Sequence, residues 1–177
     1  MTCGAMGIGA AALRFQNVYG PGQSLRNPYT GILSIFSTLL LQGKDINIFE
    51  YGEETRDFVY IDDVVEAIVL AMDAEHAQQA VYNVGSGVAT SVLEVAETLK
   101  RIYGATGQLK VTGDFRLGDI RHNFADVSKI RDELGFQSSV SFREGVTHFC
   151  EWVKSQTIED AGYERSVAEM RARGLTK

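Results

Sequence analysis

Apolar and polar positions along this chain switch repeatedly between the period of a strand and the period of a helix. Ala10 to Val18 is a short apolar run closed by Tyr19-Gly20-Pro21-Gly22, which predicts a buried strand and then a turn. Between residues 31 and 41 the period changes. Ile32, Ile35, Phe36, Leu39 and Leu40 fall on one helical face with Gly43 behind them as a stop, so an amphipathic helix is predicted. Ile46 to Phe49 and Thr55 to Ile61 read as strands. Asp62 or Asp63 is placed to cap a helix whose Val64, Val65, Ile68, Val69 and Met72 face a core.

The alternation continues. Ala80 to Gly85 reads as a strand ended by a glycine turn, and Ser91-x-x-Glu94 is a capping box ahead of Val92, Val95, Leu99 and Ile102. Leu109-Lys110-Val111 has the composition of a further strand. Ser128 is placed to cap a short helix to Leu134, and Ser141-x-x-Glu144 to cap one bearing Val146, Phe149, Cys150 and Val153. After Gln156 the chain is charge-rich with little apolar periodicity, which predicts a peripheral helix or disorder. There is no internal repeat, and mixed α/β with short connections is the fold class the pattern requires.

Composition narrows the partners. With 177 residues, 45% of them hydrophobic, the chain can bury a real core. A net charge of −6 leaves no basic surplus to neutralise nucleic-acid phosphates, although a few placed arginines can still hold a small anion. His76, His122 and His148 are too scattered for a metal site, and no metal is expected. Cys3 and Cys150 have no paired spacing, which points to a reducing, cytoplasmic setting. No run approaches a membrane span, and none of the marks of a secretion signal stands at residue 1.

Two segments end apolar runs with groups that bind anions. Asn17 has a side chain that donates and accepts, which suits a phosphate or sugar oxygen at a sheet edge; the alternative is an Asx-turn before Gly20-Pro21. Arg56 offers a fixed fork of donors suited to a diphosphate; the alternative is a surface ion pair with Glu53, Glu54 or Asp57. Gly4-Ala5-Met6-Gly7-Ile8-Gly9 has the spacing of a dinucleotide loop but runs into a strand instead of following one, so it reads as a helix end and a turn.

Taken together, Leu13 to Pro21, Thr55 to Asp63 and Arg116-Leu117-Gly118-Asp119 resemble, in the same order, three segments of the NAD-dependent epimerases and dehydratases, the extended short-chain dehydrogenase/reductase family. The resemblance covers roughly residues 10 to 155. It implies the C-terminal substrate-binding part of that fold over residues 1–155, the Rossmann cofactor half largely missing, and a charged tail at 156–177. It implies an NDP-sugar as ligand and NAD as cofactor. Asn17 would face the substrate phosphates, Arg56 and Arg116 the diphosphate with Arg121 in support, and Asp119 the nucleoside. Phe49 would pack on the base, with a core role as its alternative; Asn123 and the 24–29 loop would face the sugar; Phe15 would lie by the nicotinamide. Gln16 and Leu117 depart from the family, which has an aromatic and a proline there.

The implied activity is that of a nucleotide-sugar 4-epimerase working through a sugar ketone. A 4,6-dehydratase or reductase of the same family is the near alternative, and a noncatalytic NDP-sugar-binding or assembly module the distant one. No Tyr-x-x-x-Lys occurs in these residues, so no catalytic residue is assigned and the chain alone is not expected to turn over or to hold NAD tightly. An open edge at residues 11–18 would favour homo-oligomers.

Overall fold

The computed structural model describes residues 5–6, 9–25, 31–74, 80–115, 117–158 and 163–174. Its strands are β1 (Ala12–Phe15), β2 (Asn17–Tyr19), β3 (Ile46–Ile48), β4 (Thr55–Arg56), β5 (Phe58–Tyr60), β6 (Val81–Val84), β7 (Thr90–Ser91), β8 (Leu109–Val111) and β9 (His122–Asn123). The helices are α1 (Ile32–Leu41), α2 (Ile61–Asp73), α3 (Val92–Tyr103), α4 (Ser128–Leu134), α5 (Phe142–Lys154) and α6 (Tyr163–Ala172). Three parallel pairs, β1 with β6, β2 with β5 and β3 with β8, stand beside a three-stranded unit in which β4 lies between β7 and β9. The fold is α/β, as the alternation predicts.

The run at 10–18 is two strands. At Gln16 the chain leaves β6 for β5: the Gln16 amide still donates to Val84 O at 2.9 Å, and the Asn17 amide already donates to Asp57 O at 2.9 Å. The run at 55–61 is divided in the same way. Asp57 separates β4, paired with β7 and β9, from β5, paired with β2, and Ile61 opens α2 instead of ending a strand. A single residue between two short strands lets one segment serve two sheets, and no turn residue marks the place.

Two apolar clusters fill the interior. Tyr19, Phe36, Leu39, Ile46, Ile48, Leu99, Val146 and Phe149 join α1, α3 and α5 to the strands, while Val59, Val64, Tyr82, Val84, Ile130 and Phe136 pack α2 and α4 on β6. Ser91 and Ser141 cap α3 and α5 as predicted, accepting from the Glu94 and Glu144 amides at 3.1 and 3.3 Å. Gly43, at φ +69°, follows the C-terminus of α1.

Three local expectations are corrected. Asp62 and Asp63 lie inside the first turn of α2, after Tyr60; neither caps it, because the Asp63 carboxylate is taken by the Ser138 and Ser139 hydroxyls and the Ser139 amide at 2.8–3.0 Å. Ser128 opens α4 without capping it, and Asp126 Oδ1 accepts its amide at 2.9 Å. On α2 only Val64 and Ala67 reach the core fully, while Val65, Ile68, Val69 and Met72 are exposed. Helical periodicity locates an apolar stripe but not what covers it, and this one is wider than the strands beneath α2. Helix α1 departs the other way: Ser34, Ser37 and Thr38 are buried along with its leucines, and Ile32 and Ile35 are only half-buried. The charged tail forms α6, tied to the body by Arg171, which donates to Asp114 at 3.0 Å.

Candidate functional site

A cavity of about 340 Å³ opens where β2, the start of α1, the turn after β3 and β4 come together. It is apolar on one side, with Ile32, Ile35, Phe36, Phe58 and Val92, and polar on the other, with Asn17, Gln23, Glu50, Glu54, Arg56 and Asp119. Few convergent polar groups in an apolar cleft are the ordinary construction of a small-molecule site.

Each polar side chain is positioned by a strand end or a tight turn. Asn17 stands at the crossing from β1 to β2 and lines the cavity, and its Nδ2 donates to Asp57 O at 3.1 Å. Arg56, on the central strand β4, donates from Nη1 to Thr55 O at 2.8 Å and Arg121 O at 3.1 Å, and from Nη2 to Asp119 Oδ1 at 2.7 Å. Its ion-pair partner is therefore Asp119, and none of the three acids that surround it in sequence. Asp57 faces away. Its buried carboxylate accepts the Ser86 amide and hydroxyl at 2.8 and 2.7 Å, the Gly87 amide at 2.9 Å and the Ala125 amide at 3.1 Å.

The turn after β3 carries Phe49 and Glu50 into the wall. Glu50 is held at φ +45°, its amide donating to Asp114 O at 2.7 Å, and its carboxylate receives Arg121 Nε and Nη2 at 3.1 and 2.5 Å. That pairing raises the Arg121 pKa above its ordinary value. Tyr19, whose hydroxyl donates to Phe142 O at 3.4 Å, is pushed well above the usual phenol value by burial and then by the charges of Tyr60, Asp63 and Glu144; it stays a neutral hydroxyl.

The cavity therefore gathers four of the residues singled out in the sequence: Asn17, Phe49, Arg56 and Asp119. Two others stand outside its lining. Arg121 is engaged by Glu50, and Asn123 lies exposed on β9 in register with Arg56. Arg116 and residues 26–29 fall outside the described residues, as do Gly4, Gly7 and Ile8 of the glycine segment. Phe15 is 46% exposed at the C-terminal end of β1 and is not among the residues lining the cavity. No group of three or more potential metal ligands occurs among the described residues, and no helix in them is long and apolar enough to cross a membrane. Glu54, Gln23 and the half-buried isoleucines of α1 were not singled out from the sequence. Glu54 had one signal available: it lies two positions before Arg56, and a strand returns to the same face every two residues.

Residues 2–85 match the NAD dependent epimerase/dehydratase family, and the chain belongs to that family. It is 44% identical over 144 residues to a dTDP-L-rhamnose 4-epimerase of Burkholderia thailandensis, covering 81% of this chain and 39% of that protein. A UDP-glucose 4-epimerase of Mycolicibacterium smegmatis is 37% identical over 80% of this chain and 44% of its own length. Among solved structures, the UDP-glucose 4-epimerase of Thermotoga maritima with UDP-glucose superposes with a TM-score of 0.75 at 35% identity, over 86% of this chain and 48% of that one. The chain thus spans less than half the length of the relatives it matches.

Proposed function

We propose that the cavity holds an NDP-sugar and that this chain supplies the NDP-sugar-binding part of an NAD-dependent, 4-epimerase-like enzyme. The observation that carries the reading is the Arg56 guanidinium, fixed by Asp119 and two carbonyls, in the wall of a cleft that also contains Asn17 and Phe49. In this reading Arg56 and Asn17 meet the diphosphate, Asp119 the nucleoside, and Phe49 packs on the base. Arg116, Arg121 and Asn123 are assigned to the same ligand through the family resemblance, Phe15 to the nicotinamide. Bound NAD would supply the hydride chemistry; the groups described here bind and orient. With no Tyr-x-x-x-Lys among these residues, proton transfer at the sugar would have to come from other residues of the protein. The names of the relatives favour 4-epimerisation over the dehydratase reading, which a relative named as a dTDP-glucose 4,6-dehydratase keeps as the near alternative.

Calorimetric titration with UDP and dTDP tests the site. Arg56→Ala should weaken binding by about 1.5–3 kcal/mol, the range for hydrogen bonds to a charged group. Arg56→Lys should recover part of that, since a lysine keeps the charge and loses the fork. Equal affinity in all three proteins would reduce Arg56 to the ion-pair partner of Asp119 and remove the reading.

A further inference from the structure

One wall residue of the cavity has no task in the site as described. Glu54 is 8% exposed, and both of its carboxyl oxygens are buried without a hydrogen-bond partner among the described residues. Its carbonyl accepts the Val92 amide at the start of α3 at 2.9 Å. A buried carboxyl left with no partner costs stability, and a binding site is a common reason for such a cost to persist. The charged and titratable groups around it are Glu50 from the turn after β3, Arg56 on β4, and Arg121 with its neighbour His122 on the β9 side.

Burial raises the Glu54 pKa and the charge of Glu50 adds to it, while its own backbone amide, and then Arg121 and Arg56, act in the opposite sense. Burial is the larger effect, and the groups that would favour the anion are already committed: Arg56 to Asp119 and Arg121 to Glu50. A diphosphate beside Arg56 would disfavour the anion further. The neutral acid differs from a carboxylate in a useful way, because it offers one O–H donor and one carbonyl acceptor side by side.

We propose that Glu54 is a specificity-determining residue that binds as the neutral acid, pairing its O–H and C=O with a neighbouring acceptor and donor on the ligand, as on the C=O and N–H edge of a pyrimidine base. Phe49 lines the same cavity for the face of that base, and Arg56, two residues further along the chain, lines it for the phosphates. The inference rests on the proposed NDP-sugar reading and deepens it by naming the group that meets the base.

The test is calorimetry on the full chain with UDP, N3-methyl-UDP and inorganic diphosphate, at pH 5.5 to 8, with thermal melts to establish that each variant is folded. Glu54→Gln carries a permanent donor and acceptor and should match the parent at low pH. As pH rises the neutral acid is lost, so the parent should weaken relative to Glu54→Gln, the ratio falling through the raised pKa. Glu54→Leu should bind UDP about five- to tenfold more weakly, the size of one or two net hydrogen bonds. N3-methylation should cost the parent the same factor and cost Glu54→Leu nothing further, and inorganic diphosphate should bind all three alike. A constant ratio of parent to Glu54→Gln across pH, or equal UDP affinity in Glu54→Leu, overturns the inference, as does an equal loss for inorganic diphosphate, which marks a structural role. The outcomes separate from those of the NDP-sugar reading: a parent that binds UDP, weakened in Arg56→Ala but unaltered in Glu54→Leu, overturns the Glu54 inference alone, and a parent that binds no UDP removes both.

Discussion

Asp57 joins three segments with one carboxylate. It takes four donors, from Ser86, Gly87 and Ala125, while its own carbonyl takes both the amide and the side chain of Asn17. Gly85 is required beside it, since a Cβ there would run into Asp57 Oδ2. Replacing Asp57 by Ala should leave those buried donors unpaired and destabilise the fold by about 3 kcal/mol or more, at roughly 1–3 kcal/mol for each buried group left without a partner. Asp57→Asn keeps one acceptor oxygen and should cost less. Urea denaturation reads this directly, and midpoints unchanged from the parent would show that the network adds nothing to stability. In the sequence Asp57 looked like a neighbour with which Arg56 might pair. Strand alternation argues otherwise, because adjacent residues point to opposite faces, and the two side chains here serve a cavity and a buried knot respectively. Asn17 and Arg56 were legible because each closes an apolar run with a group suited to anions. Glu54 was not, because a glutamate beside another in Gly52-Glu53-Glu54 looks like solvated surface until its burial is known.

At the scale of elements, α5 shows how a small residue sets a docking distance. Gly145 faces the Tyr19 and Tyr60 rings, which meet edge-on with centroids 5.6 Å apart, and a Cβ at Gly145 would collide with the Tyr19 hydroxyl and stand 2.9 Å from Tyr60 Cδ2. In an isolated helix Gly→Ala gains about 1 kcal/mol. Here Gly145→Ala should instead destabilise by roughly 1–3 kcal/mol, the usual cost of overpacking. A raised thermal midpoint would mean that α5 slides to make room. Capping boxes and helix periods placed α3 and α5 from the sequence with little error, because those signals are local. The stripe on α2 and the partner changes at Gln16 and Asp57 were missed because both depend on what lies across a sheet, which no local period records.

For the molecule as a whole, two uncovered surfaces stand near each other in the chain's logic. The outer edge of β1 has no strand beside it among the described residues, and α2 turns Val65, Ile68, Val69 and Met72 to solvent. Exposed strand edges and apolar stripes drive association. Sedimentation velocity should show dimers or larger species for this chain, and Val65→Thr with Met72→Gln should shift it toward monomer; a parent that stays monomeric at high concentration would count against both surfaces. The parallel register has a different consequence, one of time. Ala12 pairs with Val81, Ile46 with Leu109 and Thr55 with His122 in parallel, and the antiparallel pair joins Thr55 to the distant Ser91, so no strand among the described residues meets its neighbour through a hairpin. The helices can form from local contacts, but every sheet must wait for the closure of a long loop, whose entropy is spent before any pairing repays it. While that search lasts, the segment carrying Arg56 and Glu54 has no framework, and the cavity comes into being only when residues as far apart in the chain as Asn17 and Asp119 have met.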